Sequence, residues 1–229
     1  FAPVSFSSSL SLPDLTNSAT LLEHTASYYN TTALYTRNNA SRANFMNAVS
    51  GYSIASIFSH AFADTGNTEP LLYMQDSVIH LSELQLLNRP ATQLIMLSAC
   101  QTNAGRNARG EGIYSLARGF SSAGIPSVAA TLWKADEEAV YAISDKFNEY
   151  LSKGMRKDDA LQKAKLYFME QGDKERLLPY YWANMVLMGN AEPVTFSHSV
   201  SVPWWLVIFV PVLAGACYII IRKKNVNRK

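Results

Sequence analysis

The chain has 229 residues, 48% of them apolar, enough for one sizeable domain core. Its net charge of +2 is unevenly placed: five of the 20 basic residues fall in the last eight positions with no acid among them, which leaves 15 against 18, about −3, over the rest. A body of that sign lacks the clustered Lys and Arg that nucleic acid requires, and the lack of any repeat of roughly 20–50 residues excludes a solenoid.

In chain order, the Ser- and Pro-rich opening through Leu15 reads as loop. The chain begins on Phe1 and not on Met, as expected of a fragment or a processed form. Apolar positions at Leu21, Leu22, Ala26 and Tyr29 predict a helix over Ser18–Tyr29, and Thr31–Tyr35 a short strand. Ala43, Phe45, Met46 and Val49 predict a second helix, stopped by Gly51. Ser53–Ser59 reads as a buried strand ending at His60. Leu71–Met74 with Val78–Ile79 suggests a small hairpin, and Leu81–Leu87 a helix. Gln93–Ser98 reads as a second buried strand, running into Cys100 and then a loop with Gly105, Gly110 and Gly112. Ile113, Leu116, Ala117 and Phe120 mark one helix face. Ser127–Leu132 is a third buried strand, ending at Trp133. Asp136–Lys153 predicts a long helix with acids in its first turn and Gly154 at its end. A further helix starts at Asp158 or Asp159, and Trp182–Met188 is the last strand.

Buried strands alternating with amphipathic helices predict an α/β domain with a mainly parallel sheet. Such sheets build their sites at the carboxyl ends of strands. His60 and Cys100 both occupy that position. A histidine beside a thiol lowers its pKa and can return the proton to a leaving amine. Taken alone, the same two residues also fit a buried Cys and a structurally satisfied His. His24, His80 and His198 have no comparable setting. Cys217, the other cysteine, lies far along the chain, so Cys100 is expected to be a free thiol. No P-loop and no zinc spacing is present, so neither cofactor nor metal is expected. Asn30-Thr31-Thr32 and Asn39-Ala40-Ser41 match a glycosylation sequon that is common by chance, and Glu111 fits a loop anchor better than a substrate contact.

Residues 204–221, WWLVIFVPVLAGACYIII, carry no charge over 18 positions, near the roughly 20 needed to cross a bilayer. Trp204 and Trp205 sit at one boundary and a basic tail, 222–229, follows the other. The sequence therefore predicts a domain over 1–189, a polar linker over 190–203 and a single-pass membrane anchor with a cytoplasmic tail. The domain then faces either the opposite side, which is favoured, or the cytoplasm.

Four stretches resemble the CHAT domain family, caspase-like domains often found with TPR repeats: "SIFSHAFAD" (56–64), "IMLSACQTNAG" (95–105), "GEGIYSLARGFSSAGIPSVAATLWKADE" (110–137) and "YYWANMVLMGN" (180–190). The resemblance implies a caspase–hemoglobinase-like three-layer α/β sandwich and a His60–Cys100 dyad. It implies hydrolysis of a protein or peptide substrate through a thioester, with TPR repeats upstream of Phe1. It also implies that the backbone N–H groups of Ala61 and Cys100 stabilise the oxyanion; relatives commonly carry Gly at the position of Ala61. Trp133 and Asp136, just past the third strand, are candidate substrate-pocket residues. A membrane-anchored cysteine endopeptidase is the favoured reading. A catalytically silent scaffold that binds partner proteins and signals through its anchor is the alternative from another class.

Overall fold

Seven strands and seven α-helices build the fold of the described residues, which in this computed structural model are 1–62, 69–87, 90–98, 111–133, 136–172 and 174–196. In chain order they are α1 (Ser18–Ala26), α2 (Arg42–Ala48), β1 (Ile54–Ile57), β2 (Ala61–Phe62), β3 (Leu71–Tyr73), β4 (Val78–His80) and α3 (Leu81–Leu84). There follow β5 (Leu94–Leu97), α4 (Glu111–Ser122), β6 (Ser127–Thr131), α5 (Glu137–Ser152), α6 (Lys157–Gln171), α7 (Pro179–Trp182) and β7 (Met185–Gly189). Phe1–Thr195 form one compact unit. Thr195 donates its N–H to Gln93 Oε1 at 2.9 Å, and Val194 is buried. The segment 204–221 lies outside the described residues, and among the described ones no helix is long and apolar enough to cross a membrane.

The main sheet has the order β1-β5-β6-β7. β1, β5 and β6 are parallel, with Ile57 opposite Leu97 and Leu97 opposite Ala130. Every residue of β5 and β6 is buried. That explains the uninterrupted apolar run of β5 and the apolar centre of β6, because a parallel strand is covered on both faces. Side chains alternate across the sheet. Ile57, Ile95, Leu97, Val128 and Ala130 pack with Leu116, Ala117 and Phe120 of α4 on one face. Phe58 meets Tyr141 of α5 edge-on, and Ser98 meets Ser144 of α5, on the other. The fold is therefore mixed α/β with a largely parallel sheet covered by helices on both faces. β2, β3 and β4 form a separate antiparallel sheet between β1 and β5 in the chain.

Three sequence expectations are corrected and a fourth is qualified. The opening segment is irregular backbone, but its first four residues are buried. The Phe1 ring stacks on Tyr35 at 4.6 Å and meets Phe45 edge-on at 5.1 Å, while Ala2 is wholly buried. Phe1 N donates to Ser56 O and Phe58 N–H to Phe1 O, so residue 1 extends the sheet beside β1. Ala2 in turn bridges Thr36, and no strand forms over the expected Thr31–Tyr35. The helix expected to reach Leu87 ends at Leu84, leaving Leu86 75% exposed. The last strand begins later than its apolar run: Pro179 starts a short helix through Trp182, and β7 pairs antiparallel to β6. β7 ends on Gly189, whose φ is +97°. A Cβ there would sit 2.1 Å from Pro126 O, so only glycine lets this strand end against the start of β6.

Candidate active site at the carboxyl edge

β1 and β5 stop at the same level. The Ser98 N–H donates to Ile57 O at 3.0 Å, which carries the ladder one step past the paired Ile57 and Leu97. His60 and Cys100 each follow those paired residues by three positions. Cys100 and the loop 101–110 lie outside the described residues, so the distance between imidazole and thiol is not given by the structure.

His60 is held at three points. Its carbonyl accepts the Tyr73 N–H at 2.9 Å, and the preceding Ser59 hydroxyl donates to Tyr73 O, so β3 clamps the main chain on both sides of the turn. The ring lies against Phe6 with centroids 4.9 Å apart and is 2% exposed. Nε2 is 2.8 Å from the carbonyl oxygen of Pro13. A carbonyl only accepts, so Nε2 carries the proton and donates it. The lone pair of the neutral ring is then on Nδ1, which is itself buried. The arrangement makes Nδ1 the basic nitrogen and leaves Pro13 to stabilise the imidazolium that forms once Nδ1 takes a proton. Neither Pro13 nor Phe6 was legible as a site residue, since both belong to a Ser- and Pro-rich stretch that carries no periodicity.

Ala61 opens β2 opposite Leu72, and its φ is not positive. Its backbone therefore does not occupy the region that would call for glycine. Beyond β6, the half-buried Trp133 donates its indole N–H to Tyr180 O at 3.1 Å, which ties the end of β6 to α7. Asp136 is exposed and caps α5, where its Oδ1 accepts the Ala139 N–H at 2.9 Å. His60, Trp133 and Asp136 all follow the carboxyl ends of β1 and β6, the two parallel strands that flank β5. Leu177, Leu178 and Tyr180 add exposed apolar surface around α7. Asn184, wholly buried at this same edge, has neither amide atom hydrogen-bonded, although its carbonyl accepts the Leu132 N–H at 2.7 Å. Among the described residues no three His, Cys, Asp or Glu side chains are grouped to hold a metal ion.

The family model for the CHAT domain matches residues 4–190. Among solved structures, the chain is similar to the Arg specific cysteine proteinase gingipain R (RgpB), with a TM-score of 0.58 and 14% identity. It is similar in the same way to the mature and pro-domain complex of RgpB from Porphyromonas gingivalis, with a TM-score of 0.57 and 14% identity. Both alignments cover 85% of this chain and 46% of the other, so the chain spans about half the length of the proteins it resembles. At that identity the likeness is one of fold. No curated protein sequence matches.

Proposed function

The chain belongs to the CHAT domain family, and on that premise we propose that it is a cysteine endopeptidase acting through a His60–Cys100 dyad. The observation that carries the reading is the seating of His60 at the carboxyl end of β1, with Nε2–H donated to Pro13 O and the lone pair of the neutral ring on Nδ1, which acts as the base. Nδ1 removes the thiol proton, and the Cys100 thiolate attacks the scissile carbonyl carbon. The tetrahedral oxyanion is met by the backbone N–H groups of Ala61 and Cys100. Its collapse breaks the C–N bond, and the imidazolium gives its proton to the departing amine. Water, deprotonated by the same Nδ1, hydrolyses the remaining thioester and frees the thiol.

Trp133 and Asp136 border the substrate in this reading: the indole walls a pocket and the carboxylate meets a basic side chain. Residues 204–221 anchor the domain to a lipid bilayer with the tail 222–229 in the cytoplasm, and TPR repeats upstream of Phe1 present the partners. The decisive experiment is cleavage mapping of a proteome by wild type against Cys100→Ala and His60→Ala, alongside labelling with a thiol-reactive peptide probe. Cleavage and Cys100 labelling that both disappear with His60 support the peptidase. Equal peptide patterns in all three proteins leave only a silent scaffold.

A further inference from the structure

The α5 face of the sheet, beneath the candidate site, carries polar groups where an apolar layer would suffice. Ser98 is the last described residue of the strand that leads to Cys100, two positions later. Its Oγ lies 2.9 Å from Oγ of Ser144 in α5, and the two residues are 5% and 0% exposed. The Ser144 carbonyl accepts from Asn148 Nδ2 at 2.8 Å, and the same Nδ2 lies 3.3 Å from the Met96 sulfur in β5. Asn148 Oδ1 accepts the Tyr29 hydroxyl at 3.0 Å. A chain of contacts thus runs from Tyr29, three residues past α1, through successive turns of α5 to Met96 of β5 and to Ser98 just beyond it, which lie on one face.

We propose that Ser144 is a positioning residue: through its hydroxyl pair with Ser98 it fixes the end of β5 and so sets how Cys100 meets His60. The inference rests on the dyad reading above. The N–H of Ser98 is fixed by β1 through Ile57 O and its side chain is fixed by α5, so the strand end is held in two perpendicular directions. Hydrogen bonding alone does not explain the pair as a stability device. Two buried hydroxyls that satisfy each other add little over two apolar groups of the same shape, whereas removing one leaves the other unsatisfied. What the pair adds is direction, because a hydrogen bond fixes an orientation that methyl packing leaves loose.

The test reads the thiol and not the peptidase. Alkylation of Cys100 by iodoacetamide is followed by mass on the peptide that carries it, apart from Cys217, in the full chain across pH. The proteins are wild type, His60→Ala, Ser144→Ala, Ser98→Ala and Ser98→Ala/Ser144→Ala. We expect each serine variant to slow alkylation at neutral pH about tenfold by moving the thiol titration up by about one unit. The double variant should lose no more than either single one while melting within a few degrees of wild type, which separates positioning from folding. A titration that moves in His60→Ala but not in the serine variants overturns the inference and leaves the dyad standing. A titration indifferent to His60→Ala overturns the dyad and the inference together. Losses in the two single variants that add in the double overturn the shared hydroxyl pair as their cause.

Discussion

At the scale of single residues, the site is defined by what a side chain has left to bond after its neighbours are satisfied. His60 spends Nε2–H on a carbonyl, which places the lone pair of the neutral ring on Nδ1. Asn184 is the opposite case. It is wholly buried with both amide atoms unpartnered, and each such group costs about 1–3 kcal/mol. Leucine has nearly the same volume and no polar atom. Asn184→Leu is therefore expected to raise stability by about 1–3 kcal/mol, read as a higher urea midpoint at unchanged slope. A lower midpoint would mean that the amide has a partner the static structure does not hold.

At the scale of elements, the start of α5 carries a capping role and a proposed second one. Asp136 caps the helix, Glu137 and Glu138 follow where the macrodipole favours acids, and the proposed role of Asp136 in binding a basic substrate side chain uses the same carboxylate. The two roles separate by substitution. Asp136→Asn retains the capping oxygen and should leave the melting temperature within about one degree. Asp136→Ala should lose about 1 kcal/mol. If Asp136 also meets substrate, Asp136→Asn alone lowers kcat/KM for peptides with a basic residue before the scissile bond and spares neutral ones. Unchanged preference in Asp136→Asn assigns the residue to the helix alone.

For the whole molecule, two paired carboxylates are expected to contribute to the acid limit of stability. The backbone N–H of His80, with Arg42 second, holds the Glu83 carboxyl below its ordinary value of 4.5 against opposing desolvation. Lys146, with Lys153 second, does the same for Glu149. Both folded pKa values lie below the unfolded one, so these groups contribute stability that is fully present above about pH 4.5 and is lost as pH falls through their folded values. Both carboxylates are partly exposed, which screens the effect. The urea midpoint should thus change little from these groups between about pH 7 and 5 and decline below. Glu83→Gln/Glu149→Gln should make that acid limb shallower. An unaltered limb would place acid lability in other groups.

The sequence by itself determined the strand–helix alternation, the parallel core strands and the placement of His60 at the end of one of them. Each of these is written in local periodicity, because burial on two faces removes polar residues from a strand and a helix shows its core every third or fourth position. The match of four stretches to one family added the fold class and pointed to the proposed dyad. Tertiary structure alone decided the rest. Phe1 and Ala2 look like loop because nothing local requires their burial, yet the unpaired edge of β1 and the rings of Tyr35 and Phe45 draw them into the core. β7 runs against β6 because two helices and a short third bring the chain back to the end of the sheet where β6 leaves it, a matter of connection length that residue type does not encode. Pro13 orients His60 from 47 positions away through a backbone oxygen, and every residue has one. A main-chain contact of that kind leaves no mark in composition or spacing, so only the folded path of the chain can place it.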